Sequence, residues 1–141
     1  MSPEGKQKLK GLLLNHEGCK LFPYTDTTGH LSIGVGRNLI DRGISSNEAF
    51  YLLDDDIIYF TDKLNHYLNF FYKMDENRQI ALIDMCFNLG IQGFLNFTKM
   101  IIALEAGDYG RAADEIINSK AAEQNPNRYQ SLANIVRTGE I

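Results

Sequence analysis

Two acids stand nine residues apart in HEGCKLFPYTDTTGHLSIGVG, residues 16–36: Glu17 and Asp26. Their surroundings push them toward opposite charge states. Glu17 ends a predicted helix, where the partial negative charge of the helix C-terminus disfavours a carboxylate. Leu21 and Phe22 nearby add desolvation. A carboxylic acid kept protonated is what general-acid catalysis requires. Asp26 lies in the polar turn DTTG, where a carboxylate stays ionised. Two carboxyls held in different states are the working pattern of glycoside hydrolysis. The stretch that follows alternates Leu31, Ile33 and Val35 with Ser32, Gly34 and Gly36. It predicts a strand with one apolar and one nearly bare face, open to a bulky chain, with the Ser32 hydroxyl available to hold a water. Plainer readings stand beside each of these. Asp26 serves as a turn former, Gly34 and Gly36 as bulge or packing glycines, and Phe87 as core. Asn88 is harder to dismiss, because a polar amide at the end of an apolar helix needs a partner or a ligand.

The elements that must position these groups follow from spacing. Ser2-Pro3-Glu4 opens a helix that carries Leu9, Leu12, Leu13 and His16 and stops at Gly18. LFPY, the DTTG turn and residues 31–36 predict a small antiparallel sheet whose third strand is not evident. Ser45 to Glu48 form a capping box. Apolar residues from Phe50 to Phe71 then recur every three or four positions, which predicts one long helix to about residue 72. Asp75 caps a helix whose apolar residues, Ile80 to Leu89, cover nearly its whole circumference. That predicts a buried central helix, ended by Gly90. Further helices are predicted near 94–105 and 108–119, and Asn125-Pro126 starts a last one through Val136.

Composition narrows the class. A chain of 141 residues suits one compact domain. Its net charge of −4 argues against non-specific nucleic-acid binding. No apolar run approaches the ~20 residues that span a bilayer, and MSPEGKQKLKGLLLNHEG does not read as a signal peptide. Cys19 and Cys86 have no metal-type spacing and read as buried free thiols. His16, His30 and His66 are scattered, so no metal site is expected.

The sequence resembles the T4-type phage lysozymes, the endolysins of glycoside hydrolase family 24. HEGCKLFPYTDTTGHLSIGVGRNL carries the family pattern of Glu, eight residues, Asp, five residues, Thr, then I-G-x-G, with Ser32 at the Thr position. ALIDMCFNLGIQGFLNFTKM and AADEIINSKAAEQNPNRYQSLANIVRTG continue the likeness over almost the whole chain. The resemblance implies a muramidase cutting the β-1,4 bond between N-acetylmuramic acid and N-acetylglucosamine in bacterial peptidoglycan. It implies Glu17 as the acid, Asp26 as the second acid placing a water, and Ser32 beside them. It implies Asn38, Phe87 and Asn88 as sugar-contacting positions and Arg128 as an ion-pair partner of Glu17. Such a partner favours the ionised carboxyl and opposes the helix end.

The fold implied is α+β, a two-lobed lysozyme. A sheet lobe (about 17–48) and a helical lobe (1–16 and 73–141) are joined by a long helix (about 46–72), with the cleft between the lobes. Inversion of configuration, no cofactor, no membrane span and a monomer are expected. So is residence in the host cytoplasm until a separate pore gives access to the wall. Arg37 replaces a histidine common after I-G-x-G, so any ion pair there must be rebuilt. A basic groove using Arg37, Lys99 and Arg128 is expected to offset the acidic charge. The rival readings are a peptidoglycan-binding module without activity, and a lytic transglycosylase.

Overall fold

The Ser2 hydroxyl accepts a hydrogen bond from the Gly5 N–H at 3.1 Å, and Pro3 sits in the first turn, so the first helix begins where those residues require. This helix, α1 (Pro3–Glu17), ends at Gly18, whose φ of 71° lies in the left-handed region and whose N–H closes on the Leu14 carbonyl at 2.9 Å. The computed structural model describes residues 1–141. They divide into two compact units, Met1–Tyr51 and Leu52–Ile141, with the boundary inside the second helix. α1 groups with the sheet, whereas the sequence assigned residues 1–16 to the helical lobe. The reason is local: only Gly18 and Cys19 separate α1 from the first strand, and the Glu17 side chain lies against Gly36.

Three antiparallel strands follow in the order β1 (Lys20–Thr25), β2 (Leu31–Gly34) and β3 (Arg37–Asn38). The β1–β2 register slips between Lys20 and Tyr24. Pro23 lies in that interval and has no N–H to give to a ladder. The third strand, which the sequence left unseen, is two residues long, pairing Arg37 with Ile33 and Asn38 with Ser32. The expected strand over 31–36 is thereby corrected. Gly34 and Gly36 have φ of 68° and 65°: β2 ends at Gly34 and the chain turns through Val35-Gly36 into β3, so the stretch is not one bare strand face. Alternation of apolar residues with glycine looks the same in either case.

The second helix, α2 (Ser46–Tyr67), starts at the expected capping box: the Glu48 N–H donates to Ser45 Oγ at 3.2 Å, and the Ser45 N–H donates back to Glu48 Oε2 at 3.0 Å. It stops five residues short of the expected end, and a 3₁₀ turn over Phe71–Lys73 places Phe71 in the core. The spacing Leu64, Leu68, Phe71 is met by helix and 3₁₀ turn alike, so periodicity could not mark the break.

The core belongs to the second unit. α3 (Glu76–Leu95) buries Ala81, Leu82, Met85 and Cys86, and Gly90, at φ 71° and ψ 165°, breaks it where the sequence expected an end. α4 (Thr98–Glu105), α5 (Tyr109–Ile117) and α7 (Pro126–Thr138) bring Met100, Ile116, Tyr129 and Val136 into the same core, and the short α6 (Lys120–Gln124) buries no residue. Each large side chain so buried contributes roughly 1.5–3 kcal/mol. Cys86 is buried and desolvation pushes its thiol up to about 11, but Cys19 is exposed, contrary to the expectation of two buried thiols. The RTG sequence is a helix stop. Gly139 caps α7 at φ 77°, and Arg78 from α3 lies over it. The Arg78 guanidinium donates to the Val136 carbonyl at 2.7 Å and the Arg137 carbonyl at 3.2 Å.

Candidate active site

In the first unit, Glu17 is exposed at the end of α1 and its carboxyl rests on Gly36. A Cβ at Gly36 would stand 3.0 Å from Glu17 Oε2, so this glycine supplies both a left-handed turn and the only side chain small enough for the seat. Within its unit, no hydrogen bond or ion pair engages the Glu17 carboxyl.

Asp26 is held differently. Its Oδ1 accepts from the Thr28 N–H at 2.9 Å, the Thr28 hydroxyl at 2.8 Å and the His30 N–H at 2.8 Å. The His30 N–H, then the Thr28 hydroxyl, hold this carboxyl below the usual carboxylate range. Asp26 therefore enters neutral solution ionised, as a turn carboxylate should. Ser32 is buried, 2% exposed, and pairs across the sheet with Tyr24 on one side and Asn38 on the other. The Asn38 carboxamide is turned into its own loop. Its Oδ1 accepts from the Ile40 and Asp41 N–H groups at 3.0 and 2.9 Å. That ties down one end of the amide and leaves little of it for a ligand.

Arg37 has rebuilt its ion pair. Its guanidinium meets both oxygens of Glu48 at 2.6 and 2.8 Å and also donates to the Gly43 carbonyl at 3.1 Å. One residue of the capping box thus serves a second purpose, joining β3 to the start of α2. The Arg37 contact, then the Ser45 N–H, lower the Glu48 carboxyl from 4.5 to about 2. The native form binds this proton more weakly than the unfolded chain, so the pair stabilises above about pH 4.5 and the contribution is lost as pH falls toward about 2. Glu48→Gln is expected to melt below wild type at pH 7, with the gap closing between pH 4.5 and 2 in calorimetric scans. A gap independent of pH would contradict that origin.

The second unit holds Phe87, Asn88 and Arg128. Ile80 and Phe87 are 44% and 42% exposed, so α3 is not buried all round as expected. One stripe of it, with Leu53 and Ile57 of α2, lines an open groove of about 380 Å³. Asp84 and Arg128 complete the lining. Phe87 also packs on Phe60, with ring centroids 5.6 Å apart. Asn88 has found its partner: the buried Tyr129 hydroxyl donates to its Oδ1 at 2.6 Å. Burial pushes the Tyr129 phenol up, which keeps it a donor. Arg128 donates through Nε to Asp84 Oδ1 at 2.8 Å and through Nη2 to the Asp84 backbone carbonyl at 3.2 Å, with Nη2 also 2.8 Å from Oδ1 as an ion pair. Within this unit, the carboxylate it holds is Asp84. Asp84 lies one turn before Asn88 on α3, on the side that meets α7.

Of the cations expected to line a basic groove, Arg37 in the first unit and Arg128 in the second are each paired with a carboxylate. Lys99 lines a separate cavity of about 510 Å³ with Lys120 and Glu115. Sequence reasoning overlooked Thr28, His30, Asp84 and Tyr129. Only Thr28 had a readable signal, because an Asp followed two residues later by Thr is an Asx-turn pattern.

Residues 14–137 match the family model described as phage lysozyme. Probable T4-type lysozyme 1 of Dictyostelium discoideum is 29% identical, over 94% of this chain and 95% of that protein. The endolysin of Salmonella phage P22 is 28% identical, over 89% and 87%. The pre-baseplate central spike protein Gp5 of Enterobacteria phage T4 is 25% identical over 92% of this chain, which spans 28% of that longer protein.

Proposed function

Since the chain belongs to the phage lysozyme family, and is thereby a muramidase-type peptidoglycan hydrolase, we propose that it cleaves the β-1,4 bond between N-acetylmuramic acid and N-acetylglucosamine with inversion. The observation that carries this reading is the contrast between its two acids. Glu17 sits on a glycine with no partner in its unit, free to meet a glycosidic oxygen. Asp26 is fixed as a carboxylate by three donors on one oxygen.

In the proposed reaction Glu17 gives its proton to the leaving oxygen as positive charge develops at the muramic carbon. Asp26, with the Ser32 hydroxyl, holds a water on the opposite face and takes its proton as the new C–O bond forms. The exposed Phe87 and the adjacent apolar stripe offer a surface for sugar faces, and the free amide of Asn88 offers donors. These steps need a proton donor, a base and water, with no cofactor, and one chain supplies both acids. No single helix is long and apolar enough to cross a membrane. The setting we infer is phage-driven lysis of a bacterial host, with the enzyme reaching the wall through a separate pore. NMR of early products tests the stereochemistry: the inverted anomer is expected first, and a retained anomer would refute inversion.

A further inference from the structure

We propose that Thr28 and His30 are positioning residues for Asp26, fixing which carboxylate oxygen faces the attacking water; this rests on the reading of Asp26 given above. All three donors to this carboxylate converge on Oδ1, and none is directed to Oδ2. Oδ1 is therefore saturated, and Oδ2 is the oxygen left for a water. Two of the donors are backbone groups of the turn. The third is the Thr28 hydroxyl, which can rotate.

What stops that rotation is His30. Its Nδ1 lies 2.6 Å from Thr28 Oγ1. A hydroxyl has one proton, and Thr28 gives it to Asp26 at 2.8 Å. The contact with His30 must then be donated by the ring, which sets the Nδ1–H tautomer. The opposite tautomer would present Nδ1 as an acceptor and draw the Thr28 proton away, leaving Asp26 with its backbone donors alone. His30 thereby orients the hydroxyl, and the hydroxyl orients the carboxylate. The charged groups facing the ring are Asp26, 3.8 Å from Nδ1, and Asp41, 4.0 Å from Nε2. Thr28 and His30 lie at the surface of the turn, so replacing them disturbs no core.

Steady-state cleavage of purified peptidoglycan by five full-length proteins tests this: wild type, Asp26→Asn, Thr28→Val, Thr28→Ser and His30→Phe. A hydrogen bond to a charged group is expected to carry about tenfold in rate. Thr28→Val should lose about that in kcat with KM unchanged, and Thr28→Ser should recover most of it. His30→Phe, which keeps the hydroxyl but frees its rotor, should show a smaller kcat loss. Wild-type kcat in Thr28→Val, or equal losses in Thr28→Val and Thr28→Ser, would overturn the proposal while a depleted Asp26→Asn leaves the catalytic reading standing. Near wild-type kcat in Asp26→Asn would remove that reading and the proposal with it.

Discussion

Glu17→Gln is expected to slow peptidoglycan cleavage by roughly 10²- to 10⁴-fold, the range for loss of a positioned general acid. Glutamine keeps the shape of the side chain and its seat on Gly36, but its amide cannot deliver a proton to a leaving oxygen. Glu17 is exposed and lacks a hydrogen bond in its unit, so stability should change by no more than about 0.5 kcal/mol. Release of reducing ends from purified walls measures the first effect and thermal melting the second. Cleavage within tenfold of wild type, by a variant that melts normally, would remove Glu17 from the reaction.

The second large effect is expected at a residue with no functional group. In Gly36→Ala the new Cβ would lie 3.0 Å from Glu17 Oε2 and 3.1 Å from its carboxyl carbon. The carboxyl must move aside, and a misplacement on the order of 1 Å costs roughly a hundredfold in rate. The substitution also strains the backbone, because alanine at φ 65° costs about 1–2 kcal/mol. Gly34→Ala separates the two effects. Its φ is 68°, yet an added Cβ meets nothing within 4 Å. Both variants should melt lower by similar amounts, and only Gly36→Ala should lose most of its kcat. Equal kcat in the two would show that the contact with Glu17 does not matter to catalysis.

Local chemistry made much of this legible from sequence. Ser2 and Gly18 bound α1, Ser45 and Glu48 cap the start of α2, and Asn125-Pro126 opens α7, because each acts on backbone groups a few residues away. The family pattern pointed to Glu17, Asp26 and Ser32 through their spacing. What stayed hidden depends on backbone sign or on distant partners. Glycine at alternate positions reads as a bare strand face until the backbone shows that β2 ends at Gly34 and the chain turns through Val35-Gly36. Arg37 announces a cation but not that Glu48, eleven residues on, will neutralise it. The apolar circumference of α3 suggested full burial, and only packing shows that Ile80 and Phe87 border an open groove. Arg128 likewise announces a cation, but its Asp84 partner lies 44 residues away in the chain. The Thr28 hydroxyl gains its importance from a histidine ring whose orientation no spacing rule gives.

The most direct test of the central claim is mass spectrometry of the muropeptides released from purified peptidoglycan by wild type and by Glu17→Gln. The expected result is glycan cut by wild type alone, at the muramic side of the linkage, with free reducing muramic ends that have each gained a water. Products one water lighter, ending in an anhydro sugar, would contradict hydrolysis and mark a lytic transglycosylase. Binding to the wall with no new ends from wild type would contradict catalysis altogether.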